Sequence, residues 1–216
     1  MFDMGDTLLG RGDGPVILGE EARRLGAQVD DETARRIWRE IQVKARSPEE
    51  LAKGRDLSER AHRELWTALY SAADVIVHGL GDVLYEREIS AEAWRPFPDT
   101  QPTLEALRAA GIPMVVVSDT GWDVRPVLAK HGLLDYFAGL VLSYEHGVAK
   151  PAPQLFRTAA EILGVAPEDA LMVGDNALTD GGSIESGVRA YLLPTQHEPG
   201  PRGLDAVLRL VGVTAP

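Results

Sequence analysis

From residue 100 onward the apolar positions switch back and forth between two periods. TLEALRAA at 103–110 repeats its apolar residues at helical spacing and stops at Gly111, a frequent helix terminator. PMVVV at 113–117 is a short, wholly apolar run of the kind buried on both faces of a sheet. The alternation continues with a helix over 124–131, a strand over 140–143 and a helix over 153–163 closed by Gly164. A strand over 170–173, a short helix over 182–186, a strand over 189–193 and a closing helix over 204–211 (LDAVLRLV) complete it. Strand–helix alternation at this spacing predicts an α/β fold with a doubly wound parallel sheet.

Residues 11–95 carry a different pattern. Helical periodicity dominates over 16–25, 32–45, 58–73 and 83–88. In the second of these, Ala34, Trp38, Ile41 and Ala45 recur at three- and four-residue steps and form one apolar stripe. Asp56 or Ser58 is placed to cap the third helix. The run 75–77 (VIV) is strand-like but very short, and RPFP at 95–98 reads as a linker because two close prolines disfavour a helix. The predicted division is a core of residues 1–10 plus 96–216, with a helical insertion at 11–95.

Composition narrows the picture modestly. A chain of 216 residues can bury a proper core in one domain, or one domain plus an insertion. There is no cysteine, which excludes disulfides and thiolate zinc sites, and the net charge of -11 argues against a general nucleic-acid surface. No apolar run reaches the ~18 residues of a membrane span. Asp3 and Asp6 break any leader-like opening, so a cytoplasmic location is expected. Only Met1 and Phe2 precede Asp3, whereas a buried strand usually has about five or six residues. A true start further upstream is the expectation that follows.

Four strings hold the candidate chemistry: FDMGDTL at 2–8, VVVSDTG at 115–121, KP at 150–151 and VGDNALTD at 173–180. Three place a Ser or a carboxylate just after an apolar run, and KP lies in a loop shortly after another. Parallel strands bring such ends to one edge of the sheet, where open α/β folds bind ligands. Asp3 there can act as a nucleophile. Ser118 can donate to a transferring group, and Lys150 can neutralise charge on nucleophile and substrate. Asp175 completes an oxygen site suited to Mg²⁺. Asp180 can orient Lys150 or a metal-bound water from behind.

Taken in order, Asp3 with Thr7 and Leu8, Ser118, Lys150 with Pro151, and Gly174-Asp175 with Asp180 resemble the haloacid dehalogenase-like hydrolase superfamily. The string SYEHGVAKPAPQLF and the spacing of the last three motifs are similar to the subfamily with a helical cap inserted after the first motif. The resemblance implies a Rossmann-like core, Mg²⁺ dependence and an aspartyl-enzyme intermediate. It implies Asp3, Asp175 and the backbone carbonyl of Gly5 as metal ligands. Thr7, Ser118, Lys150 and, more weakly, Asp119 would bind the substrate. The implied activity is phosphatase action on a small anionic, phosphorylated metabolite, in a monomer or homodimer that takes neither nucleic acid nor membrane as a partner.

The chain departs from the family at one chemical position. The phosphatase pattern has Asp two residues after the nucleophile, as the acid and base serving the leaving group. Here that position is Gly5 and the carboxylate stands at Asp6, while Thr7 and Leu8 stay in register. Loss of a positioned acid–base group typically costs about 10²–10⁴-fold in rate. Asp6, a cap residue or the substrate itself could supply the proton. Three alternatives stay open. A 2-haloacid dehalogenase also lacks the second Asp, but characteristically lacks the metal carboxylate too. A phosphonate hydrolase needs a cap lysine, for which Lys44 and Lys53 are the candidates. The last is a binding or regulatory protein on the same scaffold.

Several residues have plainer readings. Ser118 or Asp180 could cap a following helix and Asp119 could be a turn residue. The five histidines show no ligand spacing and read as structural or solvated. Trp122 could line a pocket or pack a helix start, and Trp38 and Trp66 read as packing within the insertion. Arg23-Arg24 and Arg35-Arg36 read as solvated faces.

Overall fold

The structure is a computed structural model that describes residues 1–194 and 200–213. The chain runs through β1 (Leu9–Arg11), α1 (Gly14–Arg24), α2 (Asp31–Ala45), α3 (Pro48–Leu51), α4 (Glu59–Tyr70), α5 (Leu80–Glu88) and β2 (Trp94–Pro96). It continues through α6 (Thr100–Ala109), β3 (Val115–Ser118), α7 (Arg125–Lys130), β4 (Gly139–Leu142), α8 (Ser143–His146), α9 (Pro153–Leu163), β5 (Leu171–Gly174), β6 (Arg189–Leu192) and α10 (Asp205–Leu210).

The parallel sheet is assembled around three N-terminal residues. Phe2 bridges Val116 of β3 on one side and Val173 of β5 on the other, both in parallel register. β3 pairs with β4 and β5 with β6, also parallel. The order is therefore β4–β3–residues 1–3–β5–β6. In chain order that is 3-2-1-4-5, the doubly wound arrangement, with its reversal between the N-terminal segment and β5. Short as it is, this segment is tied on both flanks. Phe2 N donates to Val115 O (2.9 Å), Val117 N to Phe2 O (2.8 Å) and Asp3 N to Val173 O (2.9 Å). The Met1 ammonium donates to Leu171 O at 3.0 Å.

Period-two alternation then assigns the sheet's two faces. Val115, Val117, Val141 and Met172 pack against Leu155, Phe156 and Ala159 of α9. Val116, Leu142, Val173 and Phe2 pack on the opposite face against Leu104, Leu107, Leu128 and Val207 from α6, α7 and α10. The predicted α/β fold is the one observed. α9 begins at Pro153, whose fixed φ suits a first helical turn, and ends at Gly164, where φ is +66°.

Helices α1–α5 bury their own cluster, in which Leu18, Ile37, Ile41, Leu69, Tyr70 and Leu80 meet. The predicted stripe of α2 supplies Ala34, Ile41 and Ala45 to it, with Trp38 partly buried and stacked on Tyr70 at 5.9 Å between ring centroids. Asp13, Asp30 and Ser58 cap α1, α2 and α4 by accepting from Val16 N, Thr33 N and Ala61 N. Among the described residues no helix is long and apolar enough to cross a membrane.

The run 75–77, too short to weigh as a strand, forms none; Ser71–Val75 is a 3₁₀ turn that follows α4. One reading of the pattern needs correction. Residues 95–98 are not a plain linker: Trp94–Pro96 pairs antiparallel with Leu9–Arg11, so the entry to and exit from the helical layer are stitched together as a ribbon. A three-residue strand containing one proline carries too little periodicity to show in sequence.

Candidate active site

Asp3 ends the central segment and is nearly buried, at the reversal point of the sheet. Beyond it the chain makes a tight turn in which Leu8 N and Leu9 N both donate to Met4 O and Asp6 N donates to Leu9 O. Asp6 sits in the turn at φ +54°, the left-handed region. The fully buried Thr7 thereby points its hydroxyl back at Asp3, donating to Oδ2 at 3.3 Å.

Lys150 reaches the same carboxylate from the loop before α9. Its Nζ donates to Asp3 Oδ1 at 2.7 Å and to Asp180 Oδ1 at 2.6 Å. Asp119 holds the loop in place by accepting from Lys150 N at 2.8 Å. The other oxygen of Asp180 accepts from Asp175 N (3.1 Å) and Asn176 N (3.0 Å), which fixes the turn after β5. Ser118 is the buried last residue of β3 and borders the same cavity as Asp3. The structure thus gathers Asp3, Thr7, Ser118, Asp119, Lys150, Asp175 and Asp180 at one edge. Neither Ser118 nor Asp180 makes the helix-capping hydrogen bond considered for it.

Burial dominates the electrostatics. It pushes the Asp3 carboxyl up to about 7, against the pull of the Lys150 ammonium and reinforced by the charges of Asp180 and Asp175. Burial alone would lower Lys150, but the carboxylates of Asp3, Asp180 and Asp119 hold it above its ordinary value. Asp175 is raised by burial first, then by Asp6 and Asp180. Three carboxylates facing one ammonium leave an excess of negative charge. Asp3, Asp175 and Asp180 each offer an oxygen, all within 4.8 Å of one another. Such an all-oxygen, anionic set fits a hard divalent cation. Asp180 already spends both oxygens on Lys150 and the backbone, so Asp3 and Asp175 are the better-placed ligands of the three.

Over Asp3 lies a cavity of about 210 Å³. Its floor is Asp3, Met4, Gly5 and Ser118. Arg55, Asp56, His62 and Trp66 from the helical layer close it, and Trp94 and Trp122 form a wall, their rings 6.4 Å apart. Arg11 pairs with Glu88 at 2.5 Å and lies 5.1 Å over the Trp94 ring; Arg55 lies 4.8 Å over Trp66. Asp6 borders the cavity from its exposed rim. A wider cleft of about 520 Å³ opens beside Lys150 and shares Arg55, Asp56 and Asp119 with the first. A separate cavity of about 110 Å³, largely apolar, lies at the other edge of the sheet around Met1, Met114 and Val207, remote from the carboxylates.

The layer is seated on the core at specific points. Ser143 Oγ accepts from Thr120 N at 2.8 Å and donates to Asp56 O at 2.6 Å. Gly121 lies so close under α4 that a Cβ there would fall 2.2 Å from His62 Cβ. His62 is buried, with Nδ1 3.0 Å from Tyr85 Oη; burial first, then the nearby arginines, push its pKa down to about 3. In the sequence Arg55 carries no signal of its own, His62 reads with the other histidines as structural or solvated, Gly121 and Ser143 stand unremarked within their strings, and Asp56 reads only as a helix cap. The one signal was Gly54-Arg55-Asp56 interrupting two helical patterns, since loops on a rigid scaffold often carry function. His197 lies outside the described residues.

Comparison with known proteins places the chain in a family. The family model for haloacid dehalogenase-like hydrolases matches residues 1–186. Haloacid dehalogenase-like hydrolase domain-containing protein 3 of Danio rerio is 36% identical over 115 residues, 53% of this chain and 48% of that protein. The chain therefore spans about half the length of that curated relative. Glyceraldehyde 3-phosphate phosphatase of Methanopyrus kandleri is 32% identical over 184 residues, 81% of this chain and 74% of that protein. The crystal structure of a phosphatase of this class from Thermococcus onnurineus superposes with a TM-score of 0.64 at 25% identity, covering 100% of this chain and 98% of that one. Asp3, Lys150, Asp175 and Asp180 lie together at one sheet edge, and the chain belongs to the haloacid dehalogenase-like hydrolases.

Proposed function

We propose that the protein is a Mg²⁺-dependent phosphatase acting on a small phosphorylated metabolite through an aspartyl-phosphate on Asp3. The observation that carries this reading is Lys150 Nζ bridging Asp3 Oδ1 and Asp180 Oδ1 at 2.7 and 2.6 Å, next to Asp175. A buried ammonium keeps the nucleophile anionic without consuming its second oxygen. Asp3 attacks phosphorus while Thr7 and Lys150 hold the carboxylate in line. Ser118 donates to a phosphoryl oxygen, and Lys150 offsets the charge that builds in the transition state. Mg²⁺, held by Asp3, Asp175 and the carbonyl of Gly5, would supply further neutralisation of the phosphoryl oxygens. Helices α1–α5 serve as a cap, and the residues it lends to the cavity select the substrate. The retained carboxylate pair at Asp175 and Asp180 favours phosphate esters over halo-acids, and the relative named as a phosphatase supports the same class.

The test is hydrolysis of an aryl phosphate, a panel of phosphorylated metabolites and 2-halo-acids, each with Mg²⁺ and with excess chelator. Phosphate release that needs Mg²⁺ is the expected result. Halide release that persists in chelator would overturn the reading.

A further inference from the structure

Gly5 leaves the floor of the cavity without the acid–base carboxyl that a poor leaving group needs. The other carboxyl and imidazole groups that border the space are Asp6, Asp56, His62, Glu88 and Asp119, of which Glu88 is paired with Arg11 and accepts from Tyr70 Oη. His62 is neutral at ordinary pH because burial pushes its pKa down to about 3, and its Nδ1 is engaged with Tyr85. Neutral imidazole is a feeble acid. Asp119 is committed to the Lys150 backbone, and Asp6 stands in water at the rim.

Asp56 is placed differently. It borders, from the cap, the same cavity as Asp3. Its backbone is pinned to the core by the Ser143 hydroxyl at 2.6 Å. Its carboxyl oxygens stand 3.6 Å from the charged Arg55 Nε and 3.8 Å from the neutral His62 Nε2, both beyond ordinary hydrogen-bonding distance. A fixed backbone with a carboxyl held only by a long ion pair to Arg55 suits a proton-transfer group. Asp3 and Asp56 line one cavity of about 210 Å³, so an ester seated on Asp3 lies in the space that Asp56 borders.

We infer that Asp56 is the catalytic acid and base of this enzyme, supplied from the cap in place of the carboxyl absent at position 5; the inference rests on the phosphatase reading above. In the first step Asp3 Oδ bonds to phosphorus, the bond from phosphorus to the ester oxygen breaks, and the Asp56 proton passes to the departing alkoxide. In the second step Asp56 takes a proton from water as its oxygen attacks the aspartyl-phosphate. The bond between phosphorus and Asp3 breaks, phosphate leaves, and Asp56 is again protonated. The titration fits the role. Burial raises Asp56 to about 6, opposed by Arg55 and Arg11 and reinforced by Asp119, with neutral His62 beside it. An acid with a pKa near the working pH is close to the optimum for shuttling protons. The cleft beside Lys150 gives it a path to solvent.

The test is Asp56→Asn, assayed with Mg²⁺ on an alkyl phosphate and on nitrophenyl phosphate. The alkyl kcat/KM falls about 10²–10⁴-fold, whereas the nitrophenyl value falls less than about tenfold, because nitrophenolate leaves without a proton. Nitrophenol then appears in a stoichiometric burst, since loss of the base slows breakdown of the aspartyl-phosphate. Asp56→Glu, which keeps a carboxyl, recovers alkyl activity over Asp56→Asn and serves as the readout if the asparagine variant folds poorly. Equal losses on the two esters, or no burst and no recovery by glutamate, would show that Asp56 only shapes the cap and would overturn the inference alone. Wild-type protein inactive on both esters would overturn the phosphatase reading together with it.

Discussion

Gly5 faces the indole of Trp94: a Cβ built at position 5 would lie 3.7 Å from Cη2 and Cζ3 of that ring, an ordinary van der Waals contact. The site therefore has room for a side chain where the acid–base residue is missing. The next residue, Asp6, holds φ +54°, which a glycine adopts at less cost. The double change Gly5→Asp, Asp6→Gly thus suits the backbone at both positions. It is expected to raise kcat/KM on alkyl phosphates more than on aryl phosphates, and in an Asp56→Asn background to restore alkyl activity by at least about tenfold. An unchanged ratio of the two rates in a folded protein would mean that a carboxyl at position 5 cannot reach the leaving group past Trp94.

Asp3→Asn should abolish turnover and leave the fold intact. The neutral amide cannot act as the anionic nucleophile, yet it keeps the shape: its carbonyl oxygen can still accept from Lys150, and its amide N–H can donate to the Thr7 hydroxyl, which turns to accept. Aryl phosphate hydrolysis and circular dichroism are the measurements. A residual rate above about a tenth of wild type, a loss of under about 1.4 kcal/mol, is incompatible with the assignment.

Lys150→Met removes the one ammonium that faces Asp3, Asp180 and Asp119. Taking one partner from a buried ion pair usually costs about 3–5 kcal/mol, because the remaining charge is left uncompensated. Urea unfolding in chelator should show a loss of that order. Added Mg²⁺ should recover part of it if the cation binds the folded site. A loss in chelator that stays within experimental scatter of zero would mean that the carboxylates relax by taking up protons.

Gly121→Val tests the seating of the cap. The new side chain would occupy the space of His62 on α4, so cap and core must part locally. Misplacement of catalytic groups by about 1 Å can cost 10²-fold in rate. Activity should fall at least about tenfold, with faster proteolysis within residues 14–88 and little change in core helicity. Wild-type activity would show that α4 moves aside freely.

His62 sets a pH dependence of stability. Its folded pKa of about 3 lies below its unfolded value near 6.5, so the unfolded chain binds the extra proton between those limits. The sign follows: the contribution is complete above about 6.5 and is lost as pH falls toward 3. Each pH unit inside that window costs about 1.4 kcal/mol for a single group. Comparing wild type with His62→Gln in urea from pH 7 to 4.5, the wild type should lose more stability on acidification. Parallel curves would mean that the imidazole charges without disturbing the fold.

Much of this molecule is legible in its sequence because the evidence for it is local. The run of apolar residues at 113–117, the stop at Gly164 and the stripe through Ala34, Ile41 and Ala45 each need only the period of one element. That is enough to predict a parallel sheet with a separate helical layer, and to place Asp3, Ser118, Lys150 and Asp175 near its carboxyl edge. The tertiary structure alone decided what those residues do to one another. Lys150 lies 147 residues from Asp3, and its bridge to Asp180 exists only because the central segment, β3 and β5 pair side by side. The ribbon of β1 with β2 joins residues some 85 positions apart and rests on backbone hydrogen bonds, which leave no trace in hydropathy. Asp56 is the sharpest case. As a residue in a loop between helices it reads as a cap, and only the docking of α4 and its preceding turn onto Gly121 and Ser143 brings it to the cavity that Asp3 also lines, where burial changes its chemistry.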